Sequence, residues 1–325
     1  MPKETATIPE TFFPVPLEML EPGKLLPCNV WLRRGEAEPV LYRSENLFLG
    51  LEHVQRLRAS GLKSVLIAFE DAICWSDFVG QQLKQRVLDK AVPIEKRVKV
   101  LTDTAHVMME EIFDNPLAPG VKRKVEHLGD AVAQVIQEPE AFSGAVRLME
   151  HDYYTYSHCF HVSVFAVALA RAAGIDDQSY ITSLGRGGLI HDIGKTALPP
   201  SLINKRQRLT PAEFDLMKNH PLQGVKILEQ LGWRDPVVQD TTMNHHERLD
   251  GTGYHRGLEG EAISVAARIT AICDAFDAMT TDRAYSAAMT PVEALKVLRV
   301  RGAEAYDQRL LRVFIRLLLD PGSAS

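Results

Sequence analysis

The sequence predicts an α+β N-terminal domain followed by an all-α helical bundle. Up to about residue 50 the apolar runs are short and separated by turn residues, a pattern typical of strands. From about residue 77 onward apolar residues recur at the spacing of three and four that is typical of helices. We therefore expect a small α+β domain over residues 1–75, a helical connector over 76–119 and an all-α domain over 120–325.

Each predicted element of the N-terminal domain follows from its local pattern. Residues 1–11 are polar and contain prolines, which predicts a loose tail. The apolar runs 30–32 and 39–42 flank a charged turn and predict strands of a small meander or barrel-like sheet. Residues 51–59 predict a helix, and the apolar run 64–68 predicts a buried strand. The domain has no cofactor motif, so a regulatory or oligomerisation role and a purely structural role both stay open.

The helices that follow are delimited by caps and breakers. Residues 77–114 predict a helix pair or a coiled-coil stalk, which ends at the prolines and glycine of 115–120. Thr210-Pro211-Ala212-Glu213 combines an N-cap with a proline in the first turn, and the helix that it starts should continue through Leu228. Further helices are expected over 154–173, 183–190 and 263–280.

Composition and charge restrict the class of protein. Of the 325 residues, 46% are hydrophobic and 24% charged, which is typical of a globular protein. A net charge of −5 argues against a surface for nucleic acid or for an anionic membrane. The four cysteines form no Cys-x-x-Cys pair, and the N-terminus lacks the pattern of a signal peptide. We therefore expect a soluble cytoplasmic protein with reduced thiols and no transmembrane helix.

The residues with the clearest chemistry surround Gly188-Leu189-Ile190-His191-Asp192-Ile193-Gly194-Lys195. An adjacent imidazole and carboxylate can bind one divalent ion, and the second carboxylate oxygen can bridge to another. Seven of the eleven histidines lie between residues 158 and 255. The residues that helices could hold near this pair are His158, His191, Asp192, His220, His245, His246 and Asp274. They exceed what one tetrahedral ion needs, so we expect two ions, and the lack of cysteine partners disfavours a structural zinc.

Three motifs together resemble those of a known family. They are His191-Asp192-Ile193-Gly194-Lys195, His245-His246-Glu247-Arg248-Leu249-Asp250-Gly251-Thr252-Gly253-Tyr254 and Asp274-Ala275-Phe276-Asp277-Ala278-Met279. Over about residues 150–290 the chain closely resembles the HD-GYP family, a branch of the HD-domain metal-dependent phosphohydrolases. The N-terminal domain also resembles one that precedes such modules elsewhere. The resemblance implies an HD-type helical bundle that hydrolyses the bacterial second messenger cyclic di-GMP at two or three metal ions.

The resemblance implies a role for each matching residue. One ion would be bound by His158, His191, Asp192 and Asp274. The other would be bound by Asp192, His220, His245 and His246, so that Asp192 bridges the ions. Asp192 and Lys195 would be the catalytic residues, and the phosphate contacts would be Lys195 and Arg283. The loop that borders the substrate would be shaped by Asp250, Gly251, Gly253 and Tyr254.

The chemistry of a phosphodiester agrees with this ligand set. Its hydrolysis needs neutralisation of charge and a nucleophile that is available at neutral pH. Two metal ions about 3.5–4 Å apart can deprotonate a bridging water and neutralise the developing charge. Lys195 can contact a non-bridging oxygen as a point charge, and Arg283 can hold a phosphate with two hydrogen bonds. We expect two divalent ions, iron or manganese with zinc still open, and linear pGpG as the product, with slower cleavage to GMP.

Two alternatives stay open at this point. One is a cyclic di-GMP receptor with little or no turnover, and the other is an HD phosphohydrolase that acts on another nucleotide. The loop that contains Gly253 and Tyr254 (the GYP-like loop) and the N-terminal domain are candidate contacts for a protein partner, and a homodimer is a candidate assembly. Neither a nucleic acid nor a membrane is expected as a partner.

Three positions depart from the family pattern. His255 stands where the signature proline is expected, so this loop should be freer to move. Tyr154 lies four residues before His158, where three-metal members have a carboxylate, and this predicts a two-metal centre. Ser286 supplies no charge where a basic residue is expected after Arg283, which favours weaker binding or slower turnover.

Two kinds of residue beside the ligands receive a plain structural interpretation. His161 lies three residues after His158, on roughly the same helix face. Most histidines of intermediate burial are not ligands, so we interpret His161 as a core histidine and not as a hydrogen-bond partner of a ligand. Cys159 and Cys273 neighbour ligands in sequence, but adjacent helical residues point about 100° apart. We therefore expect both thiols to be buried and inert.

Overall fold

The computed structural model describes residues 11–320 except 21, 34, 36, 150–156, 206, 282–287 and 301. The described residues form two compact units, one up to residue 82 together with 118–124 and one over 83–117 together with 125 onward. The predicted fold class is confirmed, because a small antiparallel sheet with a short helix is followed by a large helical region. Within the described part of the chain, no helix has the length and apolar character that a membrane span requires.

The first unit is built on four antiparallel strands. These are β1 (Phe12–Pro16), β3 (Val30–Leu32), β4 (Val40–Arg43) and β6 (Ser64–Ala68), in the order β1-β6-β3-β4. A separate two-stranded ribbon contains β2 (Lys24–Leu25) and β5 (Phe48–Leu49). The predicted helix is confirmed as α1 (Leu51–Ala59). The predicted strands 30–32 and 39–42 are confirmed and pair as β3 and β4. The strand order is not that of a simple meander, because the apolar strand β6 lies between β1 and β3, whereas β1 carries two prolines that suit an edge position.

The helices continue from α2 (Ala72–Leu88) and α3 (Ile94–Asp114), which confirm the predicted helix pair. The others are α4 (Val121–Val135), α5 (Pro139–Met149), α6 (Ser157–Ala172), α7 (Gln178–Ile190), α8 (Pro200–Ile203), α9 (Pro211–Met217), α10 (His220–Gln230), α11 (Pro236–Asn244), α12 (Val265–Thr280), α13 (Pro291–Val300) and α14 (Gln308–Leu319). α3 does not form a free stalk, because its apolar face is buried and packs against α5 and α6. The domain boundaries at 75 and 119 stay predictions.

One helix lies at the centre of the second unit. α6 is buried along nearly its whole length and packs against α3, α5, α7, α12 and α14. Phe165 on α6, Phe276 on α12 and Phe314 on α14 meet edge to face, with ring centroids 5.2–5.7 Å apart. This core holds the helices whose polar residues form the site.

The single helix predicted after Thr210 is wrong, since α9 ends at Met217 and α10 begins at His220. Pro221 has no N–H to donate to the carbonyl of Met217, so the helix cannot continue through this turn. The Met217 oxygen instead accepts a hydrogen bond from Nδ1 of His220 at 2.8 Å. The break therefore places His220 at the start of a new helix and orients its ring.

Candidate metal centre

The structure brings all seven predicted metal ligands together. Asp192, His220, His245 and His246 form one group, and His158, His191 and Asp192 form another. Within each group the possible ligand atoms lie within 4.8 Å of one another. Asp274 adjoins the second group, because its Oδ1 is 3.1 Å from His158 Nε2 and 3.9 Å from His191 Nε2. The arrangement is thus compatible with the two ligand sets that the resemblance implies.

Asp192 lies between the two sets of histidines. Its Oδ1 is 3.2 Å from His220 Nε2 and 3.8 Å from His245 Nε2. Its Oδ2 is 3.6 Å from His191 Nε2 and 3.9 Å from His158 Nε2. A carboxylate whose two oxygens face different sets of imidazoles is suited to bridging two ions.

Helix ends set the orientation of three of these rings. The last carbonyls of a helix have no partner within the helix, so they can accept hydrogen bonds from side chains. Nδ1 of His191 lies 2.8 Å from the carbonyl oxygen of Gly188 at the end of α7. Nδ1 of His245 lies 3.1 Å from the carbonyl oxygen of Thr242 at the end of α11. As with His220, Nδ1 therefore carries a proton, and Nε2 is turned toward Asp192.

Asp277 orients the fourth histidine, a role that was not predicted from the sequence. Its Oδ2 is 2.6 Å from Nδ1 of His158, and its Oδ1 is 2.9 Å from Nδ1 of His161. The interpretation of His161 as a plain core residue is therefore wrong, because this buried ring also holds the carboxylate that positions a ligand. The signal was present, since Asp277 follows Asp274 by three residues and so lies on a similar helix face.

Burial favours the neutral, ligating form of several rings. It lowers the pKa of His191 and lowers those of His245 and His246 well below the usual value. Nε2 of His191 is buried and has no hydrogen-bond partner among the described residues, and it lies beside the carboxylates of Asp192 and Asp274. An unsatisfied buried acceptor is costly, and a divalent cation is a partner that suits a neutral imidazole next to two carboxylates. The residues present therefore fit a metal ion.

The carboxylates of the cluster are ionised. Although burial opposes it, the ammonium of Lys195 holds the pKa of Asp192 well below its usual range. Hydrogen bonding with His158 does the same for Asp274. Burial alone would lower the pKa of His158, but its hydrogen bonds to the carboxylates of Asp274 and Asp277 raise it to about 9. Metal binding would therefore have to replace a proton on this ring.

Lys195 lies at the edge of the cluster. It is on a 3₁₀ helix, Ile193–Ala197, and its ammonium forms an ion pair with Oδ2 of Asp192. Asp192 raises the pKa of Lys195 against the opposing effect of burial. A side chain at Gly194 would collide with the carbonyl oxygen of His220, so glycine is required for this close approach to α10. The approach places a positive charge beside the candidate ligands.

The loop after His246 is folded around Glu247. Its buried carboxylate accepts hydrogen bonds from the backbone N–H groups of residues 256, 257 and 258, at 2.6, 3.1 and 2.9 Å. Glu247 lies inside the second motif, but the sequence alone indicated no role for it. A side chain at Gly253 would collide with the backbone of residues 246–248, which explains the glycine there. His255 is exposed, as expected for a solvated loop residue. The greater mobility of this loop, expected from the replaced proline, stays a prediction.

Tyr254 and Asp250 occupy different parts of this loop. The ring of Tyr254 lies 4.5 Å from that of His246, so it borders the ligands directly. The Asp250 carboxylate accepts hydrogen bonds from the N–H and hydroxyl of Thr252 at 3.0 and 2.7 Å, so it shapes the turn. Burial raises the pKa of the Cys159 and Cys273 thiols, in agreement with their predicted inertness.

Three residues singled out in the sequence, Tyr154, Arg283 and Ser286, lie outside the described residues. The phosphate contact assigned to Arg283 is therefore still a prediction. The same applies to the consequences drawn from Tyr154 and Ser286.

Comparison with known proteins identifies the class. The sequence matches the HD domain family over residues 131–310. It is 31% identical over 319 residues to the cyclic di-GMP phosphodiesterase PA4108 of Pseudomonas aeruginosa, covering 93% of this chain and 75% of that protein. It is 36% identical over 146 residues to 3'3'-cGAMP-specific phosphodiesterase 1 of Vibrio cholerae, covering 45% of this chain and 33% of that protein.

A solved structure shares the fold. Bd1817, an HDG"Y"P protein from Bdellovibrio bacteriovorus, has a TM-score of 0.65 and 20% sequence identity, and the match covers 95% of this chain and 100% of that chain. The helical fold and the histidine–aspartate cluster define an HD domain protein. The matches over most of its length then show that the chain belongs to the HD-GYP-like family of cyclic di-GMP phosphodiesterases within the HD domain group.

Proposed function

We propose that this chain is a metal-dependent phosphodiesterase that hydrolyses cyclic di-GMP to linear pGpG, with slower cleavage to GMP. The observation that carries the proposal is the position of Asp192, whose oxygens face two different sets of histidines. The similarity to a cyclic di-GMP phosphodiesterase over nearly the whole chain supports this substrate.

The ligand set suits two divalent ions, for which we propose iron or manganese. His158, His191, Asp192 and Asp274 would hold one ion, and Asp192, His220, His245 and His246 the other. When bound, the ions would neutralise the phosphodiester and make water a usable nucleophile at neutral pH. We expect metal analysis of the loaded protein to find about two ions per chain, as a bridge between two sites requires. A content near three would contradict the two-metal centre.

The remaining site residues would bind and orient the substrate. Lys195 already pairs with Asp192, and its ammonium can turn to a non-bridging phosphate oxygen. We propose Arg283 as a second phosphate contact that uses its two-pronged guanidinium. Tyr254 would form a wall beside His246, and Gly253 and Asp250 would shape the loop that carries it.

A second candidate substrate is 3'3'-cGAMP. It is favoured by the 36% identity to a phosphodiesterase of Vibrio cholerae that is specific for this cyclic dinucleotide, although that match covers only 45% of the chain. The metal centre would act on either substrate in the same way, because both present the same phosphodiester group. The choice between them must come from residues that contact the bases.

A cyclic di-GMP receptor with little turnover is the non-enzymatic alternative, and the uncharged Ser286 and the replaced proline at His255 favour it. We further propose a regulatory role for the domain over residues 1–75. This domain and the GYP-like loop are then the candidate surfaces for a protein partner or a second copy of the chain.

Product analysis separates these functions. Protein loaded with iron or manganese is incubated with cyclic di-GMP and, separately, with 3'3'-cGAMP, and the products are resolved by chromatography. We expect pGpG and then GMP from the first substrate. Tight binding without product would identify a receptor instead, and faster conversion of 3'3'-cGAMP would reassign the substrate.

A matched pair of variants tests the site. Asp192→Ala should abolish both the bound metal and turnover, because it removes the proposed bridge. Asp103→Ala, which removes an exposed carboxylate paired with Lys99, should leave both unchanged. Survival of activity in Asp192→Ala would show that the assignment of this centre is wrong.

A further inference from the structure

An exposed aromatic ring lies beside the candidate metal centre. Phe214 is on the seven-residue helix α9 and is 44% exposed, whereas phenylalanine is usually buried. Its ring centroid is 6.1 Å from that of Tyr254, which in turn is 4.5 Å from that of His246. Phe214 is therefore only two ring contacts away from a candidate metal ligand.

Helix α9 is fixed at its start. The Glu213 carboxylate accepts the N–H of Thr210 at 2.7 Å, and the Thr210 hydroxyl accepts the N–H of Glu213 at 3.3 Å. The Lys205 ammonium lies 2.5 and 2.6 Å from the two oxygens of the same carboxylate. This reciprocal cap is a strong N-terminal anchor for so short a helix. It keeps Phe214 in one place although the ring itself is not packed into the core.

The exposed part of the ring is flanked by a cation and by a second aromatic ring. The Lys218 ammonium lies 4.8 Å from the ring centroid of Phe214, and the Tyr254 ring meets it at an angle of 83°. Ligand sites combine apolar and aromatic side chains with a few polar groups, and Phe214 and Tyr254 beside the histidine cluster have this composition. The cation beside the ring would also attract the electronegative N7 and O6 atoms at the edge of a guanine.

We propose that Phe214 is a base-stacking residue, which holds one purine of the cyclic dinucleotide while a phosphate lies at the metal centre. The inference rests on the proposed function and adds the residue that contacts a base. Aromatic side chains that stack on bases contribute substantially to binding of nucleotides, because every base presents a π-face.

Stacking predicts a particular kinetic effect. The base stays on the ring in both the bound substrate and the transition state, so loss of the ring should raise KM and leave kcat nearly unchanged. We expect Phe214→Ala to raise KM for cyclic di-GMP roughly tenfold, and Phe214→Tyr to restore it. Leu216→Ala is the matched control, because Leu216 is on the same helix and 52% exposed. A wild-type KM in Phe214→Ala would overturn the proposal.

A spectroscopic test detects the stack directly. The three native tryptophans, Trp31, Trp75 and Trp233, are buried, so a tryptophan placed on α9 reports on its own surface. GMP, a purine nucleotide, should quench the fluorescence of Phe214→Trp more strongly than UMP does, and should leave Leu216→Trp unaffected. Equal quenching of the two variants would overturn the stacking role.

The two hypotheses fail in different ways. If the wild-type protein hydrolyses neither cyclic dinucleotide while GMP still quenches Phe214→Trp selectively, the proposed function fails and the purine-stacking role is supported. If the wild-type protein turns over cyclic di-GMP while Phe214→Trp shows no selective quenching, the proposed function stands and the stacking role is wrong.

Discussion

Asp277 shows how one side chain beyond the ligands can determine the geometry of a metal centre. An ionised carboxylate has acceptor sites on both oxygens, so Asp277 can hold His158 with one and His161 with the other. Although burial opposes it, His161 and His158 hold the pKa of Asp277 below its usual range. The carboxylate therefore fixes the proton of His158 on Nδ1 and leaves Nε2 for the metal.

We expect Asp277→Asn to weaken metal binding about 10- to 100-fold, the usual cost of losing such a partner. An amide has one acceptor oxygen, so it cannot hold both histidines in their present orientation. The measurement is a competition titration with Mn²⁺ on metal-free protein. Asp103→Asn on the exposed face of α3 is the control, because its side chain is 62% exposed. Unchanged affinity in Asp277→Asn would show that His158 needs no carboxylate to orient it.

At the scale of elements, the loop between α11 and α12 is organised by one buried carboxylate. Glu247 is 2% exposed and accepts three backbone N–H groups from residues 256–258. The same loop presents Tyr254 to His246. Its shape thus depends on hydrogen bonds from its own backbone to a residue inside the second motif.

Glu247→Gln should loosen this loop and lower stability by about 1–3 kcal/mol, because the amide NH₂ would face N–H donors that lose their acceptor. Hydrogen exchange of residues 250–259 should become faster, and the unfolding midpoint in urea should fall. Glu259→Gln changes an exposed carboxylate of the same loop and should do neither. Wild-type exchange in Glu247→Gln would mean that the loop is held by other contacts.

Arg97, on α3, connects the end of α2 with the turn before α5. Its guanidinium forms a two-pronged ion pair with Glu138, just before α5, at 2.8 and 3.0 Å. It also donates to the carbonyl oxygens of Val87 at the end of α2 and Val92 before α3, at 3.0 and 3.2 Å. Only 5% of the Arg97 side chain is exposed, so the loss of its carboxylate partner would leave a buried charge poorly compensated.

This ion pair predicts a pH-dependent contribution to stability. Hydrogen bonding from Arg97 lowers the pKa of Glu138 from its usual 4.5 in the folded state. The carboxylate therefore stabilises the fold fully above pH 4.5, and this contribution is lost as the pH falls toward the lower folded-state value. Glu138→Gln should cost about 2 kcal/mol at pH 7 and progressively less below pH 4.5.

Urea unfolding of the wild type and of Glu138→Gln across this pH range is the measurement. Glu140→Gln, at an exposed position of α5, serves as the control. A difference between wild type and Glu138→Gln that does not change with pH would exclude ionisation of Glu138 as its cause.

At the scale of the whole molecule, local sequence patterns were sufficient to predict the helices but not the order of the strands in the sheet. The periodicity and the Thr210 cap identify helices because helical hydrogen bonds and caps join near neighbours. β1 and β6 are paired although about 50 residues separate them, and nothing in either strand specifies that partner. The break between α9 and α10 was readable from Pro221, since proline cannot donate in a helix.

The candidate site likewise contains some residues that the sequence identifies and others whose roles only the fold reveals. The ligand residues were identifiable because imidazoles and carboxylates are unusual on apolar helices, and because their motifs resemble a family. The roles of Asp277 and Glu247, and the role proposed for Phe214, depend on partners that the fold brings close, so the sequence did not indicate them. His158 and Asp277, for example, are separated by 119 residues in sequence. Such roles become visible only when the packing of the helices is known.

Metal binding should therefore stabilise the helical unit as a whole. The candidate ligands come from α6, α10 and α12 and from the ends of α7 and α11, so bound ions would link five helices. An ion that binds only the folded state, at about 100 times its Kd, stabilises by about 2.7 kcal/mol. For a unit of roughly 200 residues this raises Tm by about 5–10 °C.

Calorimetry of metal-free protein with and without Mn²⁺ tests this expectation, and EDTA should reverse the rise in Tm. Asp192→Ala should show little or no rise, because the residue shared by both ligand sets is gone. A rise of the same size in Asp192→Ala would mean that Mn²⁺ stabilises the chain at another place. Comparison of the two proteins thus tells whether the cluster that identifies the family also holds its helices together.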